Sequence, residues 1–365
     1  MKVLIAGGGT AGHINPGLAI AKYIKSKNTE AQIIFVGTER GLETKLVPRE
    51  GFELKLIKVR GFRRKLSKDT FIAVKEMFQG FHEARKIVKE FKPDIVIGTG
   101  GYVCGPVVFS AYMKKIPTLI HEQNAFPGVT NRILSRFSNI TAISFKESEK
   151  FFKNAKKVVL TGNPIRKEML EIQRADARES LKIDRSIPLV VIFGGSLGAE
   201  KINQSVVDML KNHYKEGSFK LIYATGEKQH KNVLEKLDGV NYKSVEVLPY
   251  IFDMAAVMAA ADLVVCRAGA ITISELTALS VPSILIPSPY VTANHQEHNA
   301  KALEKHGAAL VILEKDLCGE VLHKKIVDTI KNKAKLKAMS KNAGMIGVRD
   351  AADKIYNLAI DIRNK

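Results

Sequence analysis

The chain reads as an α/β protein with two doubly wound parallel sheets, one in each half. Three observations predict this. Short apolar strands alternate with helical patterns along most of the 365 residues, the βαβ rhythm of parallel sheets. Two strand–glycine turn–helix units, MKVLIAGGGTAGHINPGLAIAKYI and SIPLVVIFGGSLGAEKINQSVVDML, lie about half the chain apart. The length is sufficient for two domains that each bury a core.

The elements follow in order. Strand Val3–Ala6 runs into the first glycine turn. Asn15 is a good N-cap and Pro16 suits a first helical position, so the helix is expected to start there. Strands are expected at Ile33–Val36, Ile95–Ile97, Thr118–Ile120 and Ile140–Ile143. Gly-Asn-Pro within TGNPIRKE (161–168) breaks the periodicity and marks a boundary. Beyond it come strands Leu189–Phe193, Leu221–Ala224, Leu263–Cys266 and Ser283–Ile286, and a lysine- and alanine-rich helical stretch from about Lys335. The resulting division is 1–162, 163–340 and a closing helix over 341–365.

Composition narrows the function classes. Hydrophobic content of 45% with 26% charged residues is ordinary for a soluble globular protein. Cys104, Cys266 and Cys318 lie far apart with no CxxC, which argues against a disulfide framework or a zinc site and fits a reducing cytosol. The start is a strand running into a turn rather than a signal peptide. The longest apolar run, MAAVMAAA, is stopped by Asp262, well short of the roughly 20 residues a membrane span needs. A net charge of +20 predicts attraction to something anionic. Seven cations and no acid lie between Lys55 and Lys68, Arg63, Arg64 and Lys65 among them. Phe71, Val74, Phe78 and Phe81 follow at helical spacing, giving a basic arm that feeds an apolar helix face. The plainer reading makes these phenylalanines core and the cations solvated. No recognisable nucleic-acid module accompanies the charge, so no nucleic-acid partner is expected.

The chemistry concentrates after the strands. Residues 262–299 combine an apolar strand, a Gly-Ala turn, a helix carrying Glu275, a second strand and a polar loop. A helix N-terminus after a glycine turn can hold a phosphate, and a carboxylate further into that helix can hold a ribose. Gly7-x-Gly9-x-x-Gly12 formally matches the dinucleotide fingerprint. The second strand ends Val36-Gly37-Thr38-Glu39, with its acid later than that fingerprint wants. The same turn could bring N–H groups to a diphosphate without a dinucleotide. His13 ends it, either as a packing residue or as a general base, since histidine titrates near neutral pH. A third turn, GTGGYVCGP, has four glycines in residues 98–105, more than one turn requires. His121, Glu122, Gln123 and Asn124 then crowd the end of a strand, as a ligand site or as a structural network. No Asp-x-Asp or HExxH occurs; His295-x-x-His298 is read as loop and helix start, with no metal expected.

Taken together, GGGTAGHINPGLAIA, GTGGYVCGP, HEQNAFPGVTNRIL, GNPIR, GGSLGAEKIN and CRAGAITISELTALSVPSILIP…NHQEHNA resemble the MurG family of bacterial peptidoglycan N-acetylglucosaminyltransferases over residues 7 to about 300. The resemblance implies a GT-B glycosyltransferase with two Rossmann-like domains facing across a cleft and a C-terminal helix crossing back to the first. It implies inverting transfer of GlcNAc from UDP-GlcNAc to the C4 hydroxyl of MurNAc in undecaprenyl-pyrophosphoryl-MurNAc-pentapeptide (lipid I), giving lipid II, with no cofactor. The first domain would bind acceptor and membrane, the second UDP-GlcNAc. Ala270, Ile271, Thr272 and Ser274 would hold the diphosphate or ribose, Glu275 the ribose hydroxyls and Gln296 the GlcNAc, with Asn299 nearby. Ile251 would meet the uracil through its backbone, and Ser196 and Arg166 would touch the nucleotide sugar. Thr10, Ala11, Gly12 and Asn124 would line the cleft from the first domain. Gly8, Gly9, Gly100, Gly101 and Tyr102 would take the acceptor diphosphate. His13 is the candidate base and Glu122 the alternative. Some members carry a glutamine pair where this chain has His295-Gln296, and a serine at Ala268. The implied location is the cytoplasmic face of the cell membrane, on its anionic leaflet, among cell-wall synthesis and division proteins. Rival classes are a UDP-GlcNAc 2-epimerase on the same architecture, an NAD-dependent dehydrogenase and a basic nucleic-acid binder.

Overall fold

Among the described residues, every paired strand is parallel to its neighbours, in a seven-stranded and a six-stranded sheet. The structure is a computed structural model that describes residues 1–61, 68–184, 186–240 and 242–364, and omits the side chains of 68–74. Candidate residues Arg63, Arg64 and Lys65 therefore lie outside the described residues, as do the side chains of Phe71 and Val74. The chain divides into two units, Met1–Ile165 with Arg349–Lys365, and Arg166–Val348.

The first unit runs β1 (Lys2–Gly7), α1 (Ala11–Lys27), β2 (Gln32–Gly37), α2 (Glu43–Arg49), β3 (Glu53–Leu56), α3 (Lys68–Phe91), β4 (Ile95–Gly100), α4 (Cys104–Met113), β5 (Thr118–Glu122), α5 (Val129–Leu134), β6 (Ile140–Ile143) and β7 (Val158–Leu160). Its strand order is β3-β2-β1-β4-β5-β6-β7. Alternate residues serve opposite faces. Val3, Ile5, Ile33, Phe35, Ile95 and Ile97 join one core cluster, and Leu4, Ala6, Ile34, Val36 and Val96 the other. That is why these strands read as unbroken apolar runs: both faces of a parallel sheet are covered.

The second unit runs α6 (Lys167–Glu171), α7 (Arg174–Ser180), β8 (Leu189–Phe193), α8 (Glu200–Asn212), β9 (Lys220–Ala224), α9 (Glu227–Lys236), β10 (Val245–Leu248), α10 (Met254–Ala260), β11 (Leu263–Cys266), α11 (Ala270–Ala278), β12 (Ser283–Leu285), α12 (His295–Lys305), β13 (Ala309–Val311), α13 (Gly319–Lys331) and α14 (Lys333–Ile346). Its order is β10-β9-β8-β11-β12-β13. The last helix, α15 (Ala351–Arg363), belongs to the first unit. The helical stretch after 335 is thus split. Gly347 ends α14 where a Cβ would lie 2.4 Å from Thr277 O. α15 packs on α1 through Ala351, Ile355 and Ala359, one stripe at four-residue spacing, and Tyr23 Oη donates to Asp353 at 2.7 Å.

One boundary differs from expectation. α1 starts at Ala11 after an extended Thr10, and Pro16 lies inside the helix. Pro16 lacks an N–H, so the bond to the Gly12 carbonyl is forgone. The extra turn carries His13 onto the helix and leaves the N–H groups of Ala11 and Gly12 at its open end.

Candidate active site

In both sheets the glycine turns leave the strands that flank the reversal of strand order. β1 and β4 flank it in the first unit, β8 and β11 in the second. Helices depart to opposite sides there, opening a crevice at the carboxyl ends of the strands where ligands bind.

In the first unit His13 is half-buried at this point. Its Nδ1 lies 3.0 Å from Gln123 Oε1. Thr99, buried beneath it, donates its hydroxyl to the His13 carbonyl at 2.8 Å. Gly100 has φ +113°, and a Cβ there would lie 2.4 Å from His13 Nδ1, so only glycine leaves room for the ring. Gln123 Nε2 donates to Thr99 O at 2.8 Å and lies 3.0 Å from both His121 O and His121 Nδ1. His121 Nε2 meets Gly162 O at 3.0 Å, and burial pushes the His121 pKa down to about 4. This chain of contacts was not legible from residue types alone.

Glu43 was not anticipated either. It is fully buried and accepts from Thr38 N at 2.8 Å, Thr38 Oγ1 at 2.9 Å and Gly9 N at 2.9 Å. Gly8, Gly37 and Gly41 make room for it: a Cβ on any of them would come within 2.6 Å of its side chain. Glu39, just past the end of β2, is exposed, whereas Glu43 opens α2 and turns back to the first glycine turn. It binds the glycine turn from inside.

That arrangement revises the expected diphosphate donors. The Gly9 N–H is taken by Glu43, the Gly8 N–H points to Gly100 O at 3.4 Å, and the Gly100 N–H to Cys104 Sγ at 3.1 Å. Gly101 lies against the Gly8 carbonyl, where a Cβ would come within 2.6 Å. The glycines of the two turns pack on one another. The open donors are the N–H groups of the first turn of α1, beside exposed Thr10, with Tyr102 near Gly9.

Glu122 does not act as a free carboxylate. It is buried, and accepts from Asn124 N at 3.0 Å, Asn124 Nδ2 at 3.2 Å, Gly128 N at 3.1 Å and Asn131 Nδ2 at 2.9 Å. Four donors saturate it, so it fixes the loop from Glu122 to Gly128, Asn124 included, and has no lone pair to offer a substrate.

In the second unit the turns after β8 and β11 enclose a cavity of about 790 Å³ lined by Gly194, Gly195, Gly198, Gly269, Thr272 and Gln296. Its volume lies in the range of small-molecule sites. α11 begins there with no acid in its first turn, so none of its own carboxylates offsets the positive end of the helix. Gln296 Oε1 accepts from Ser288 N at 2.9 Å, which leaves its amide NH2 as the donor. Arg267, Tyr290 and Glu314 also line the cavity and were not foreseen. Arg267 is spent internally, on Glu314 and on the carbonyls of Ile286 and Pro287. Beneath the first turn, buried Asn203 donates to Thr225 O at 2.9 Å and Gln229 Oε1 at 2.7 Å, and accepts from Tyr223 Oη at 2.6 Å.

The other expected donor-site residues separate. Glu275 is buried one turn beyond Thr272 and pairs with half-exposed Arg166 at 3.2 Å. Burial pushes its carboxyl pKa up, and Arg166 draws it back. Ser196 is exposed in its turn, Ile271 is half-buried, and Ile251 and Ala270 are buried. The Ser274 hydroxyl back-bonds to Ala270 O at 3.0 Å. Asn299 is fully buried and donates to Ala268 O at 3.3 Å, so its amide braces the turn rather than meeting a sugar.

On the first unit, α3 packs on α4 and α4 on α5. Phe78 is 66% exposed, but Phe81 packs its ring against Phe109 at 5.9 Å. Phe81 therefore belongs to the inter-helix packing and not to a free face. Met113 at 63%, Val129 at 61% and Ile133 at 54% are exposed apolar side chains that the sequence pattern did not single out. Among the described residues no helix is long and apolar enough to cross a membrane.

Comparison with known proteins adds the following. Residues 3–143 match the glycosyltransferase family 28 N-terminal domain and residues 189–355 the family 28 C-terminal domain. A protein of Acetivibrio thermocellus named UDP-N-acetylglucosamine–N-acetylmuramyl-(pentapeptide) pyrophosphoryl-undecaprenol N-acetylglucosamine transferase is 64% identical, over 100% of this chain and 99% of its own. The crystal structure of Acinetobacter baumannii MurG is similar with a TM-score of 0.82 at 30% identity, covering 99% of both chains. A UDP-GlcNAc 2-epimerase from Neisseria meningitidis, solved with UDP-GlcNAc, has a TM-score of 0.66 at 14% identity, covering 99% of this chain and 100% of its own, a likeness of fold alone.

Proposed function

The chain belongs to glycosyltransferase family 28, and we infer that it transfers GlcNAc from UDP-GlcNAc to lipid I, forming lipid II. The observation that carries this is the 64% identity along the whole chain to a relative bearing that name. The fold alone would not separate transfer from epimerisation, because an epimerase shares it at 14% identity.

In this reading the acceptor C4 hydroxyl attacks the anomeric carbon of GlcNAc. The bond from that carbon to the UDP β-phosphate oxygen breaks, its electron pair leaves with UDP, and the anomeric centre inverts. His13 Nε2 takes the hydroxyl proton. Charge developing on the departing diphosphate is stabilised by the N-terminus of α11 with Thr272, and by Arg166. Glu275 holds the ribose hydroxyls, and the Gln296 NH2 donates to a GlcNAc hydroxyl. The first turn of α1 (Ala11, Gly12) receives the acceptor diphosphate.

The first unit is the membrane-facing one in this reading. It holds 32 Lys and Arg against 16 Asp and Glu, a net +16, whereas the second has 25 against 21, a net +4. Each cation near an acidic leaflet contributes about 1 kcal/mol, and the exposed apolar side chains of α3, α4 and α5 supply shallow anchors. The acceptor's lipid and its cytoplasmic donor put that surface on the inner leaflet.

The deciding assay measures UDP release from UDP-GlcNAc with and without a lipid I analogue. Acceptor-dependent release is expected. Epimerisation of UDP-GlcNAc without acceptor, or no turnover with it, would overturn the reading.

A further inference from the structure

We propose that Gln123 is a positioning residue that fixes the tautomer of His13, placing the proton on Nδ1 and the lone pair on Nε2. The proposal rests on the reading of His13 as the base and deepens it, because an imidazole held in the opposite tautomer would present a proton to the acceptor hydroxyl instead of receiving one.

The assignment follows from acceptors that cannot change roles. Gln123 Nε2 lies 2.8 Å from Thr99 O and 3.0 Å from His121 O. Carbonyl oxygens only accept, so the amide NH2 must face them, and the amide cannot be flipped. Its oxygen then faces His13 Nδ1 at 3.0 Å, and that nitrogen must carry the hydrogen. His121 closes the chain at the other end. Its Nε2 is 3.0 Å from Gly162 O and therefore protonated; Nδ1, 3.0 Å from Gln123 Nε2, is bare and accepts. The full burial of His121 keeps it neutral, as this pattern requires. No other partner of the His13 ring is found among the described residues, so Nε2 remains available.

Ring-¹⁵N-labelled histidine in the full chain, read by two-bond proton–nitrogen correlation, tests this without turnover; His13 signals are identified by their loss in His13→Ala. The wild type should show Nδ1 protonated and Nε2 bare once His13 is neutral. Gln123→Met should lose that preference and lower kcat about 10-fold or more while KM for UDP-GlcNAc stays within about 2-fold. A wild-type ring protonated on Nε2 overturns the proposal, and needs no variant to fold. An unchanged tautomer in folded Gln123→Met overturns it too. Wild-type turnover in His13→Ala removes the base reading itself, whatever tautomer the spectrum shows, so the two failures are distinguishable.

Discussion

Gly100→Ala is the sharpest perturbation of the site, because its effect can be worked from distances. The new Cβ would lie 2.4 Å from His13 Nδ1, 2.8 Å from Cε1 and 3.1 Å from Cγ, where ordinary contact begins at 3.4 Å. The ring must retreat by about 1 Å, and a misplacement of about 1 Å can lower a rate about 100-fold. The retreat also stretches the 3.0 Å contact to Gln123. The backbone at φ +113° adds strain of about 1–3 kcal/mol for a residue with a side chain. Two readouts should therefore part company: kcat for acceptor-dependent UDP release drops about 100-fold, while UDP affinity by calorimetry is unchanged, since the donor cavity belongs to the other unit. Melting should fall but stay cooperative. A folded variant with kcat near wild type would refute the claim that ring placement at His13 matters.

Four further outcomes are expected. Glu43→Gln turns an amide NH2 onto buried donors and should lower stability by about 2 kcal/mol or more in urea unfolding; a loss below about 0.5 kcal/mol would contradict the cradle. His121 has a folded pKa lowered from 6.5 to about 4, so its contribution is intact above 6.5 and disappears as the pH falls toward 4, by about 3 kcal/mol in full. His121→Asn should accordingly show a shallower decline of urea midpoint with acid than wild type, and parallel declines would rule this out. Gln296→Ala should raise KM for UDP-GlcNAc about 5- to 30-fold, one hydrogen bond's worth, with free UDP binding unaffected; equal losses for both ligands would move Gln296 from the sugar to the nucleotide. Combined Phe78→Ser, Met113→Ser and Ile133→Ser should release the folded protein from anionic vesicles in flotation, and retention equal to wild type would show that these side chains do not anchor it.

The strands legible in the sequence and those that were not differ physically. All nine expected strands form. Among the described residues the four not expected, β3, β7, β10 and β13, are the edge strands of the two sheets. They span only three or four residues, and β3, β7 and β10 contain no buried residue. A central parallel strand is covered on both faces and announces itself as an apolar run; the edge strands β3 (ELKL) and β10 (VEVL) are interrupted by charged residues, whereas β7 (VVL) and β13 (ALV) are apolar but only three residues long. The start of α1 was obscured for a related reason. Pro16 is a start signal only when nothing earlier begins the helix, and the extended Thr10 does so six residues before it.

The site was legible as a set of residues but not as a set of roles. Its polar side chains follow the strands whichever way they point, so position finds Glu122 and Gln123 after one strand and Glu275 after another, and the family resemblance adds Asn299. Burial then separates them. Glu122 is spent on the loop and helix that follow it, Asn299 on the Ala268 carbonyl of the turn after β11 and Gln123 on a neighbouring ring, and only side chains with an unspent donor or lone pair can meet a substrate. Glu43 shows how far such internal use can mislead. In a dinucleotide-binding turn the second glycine lets the backbone approach a pyrophosphate. Here the Gly9 N–H already bonds a buried carboxylate supplied from α2. Two of the motif's glycines keep a local reason of their own: a Cβ on Gly7 would lie 2.1 Å from Thr99 Oγ1, and Gly9 has φ +87°, while Gly8 between them makes room for the carboxylate. A carboxylate built into the chain thus takes the N–H that a dinucleotide fold leaves for its cofactor, and the donors left open to an anion are those of the first turn of α1.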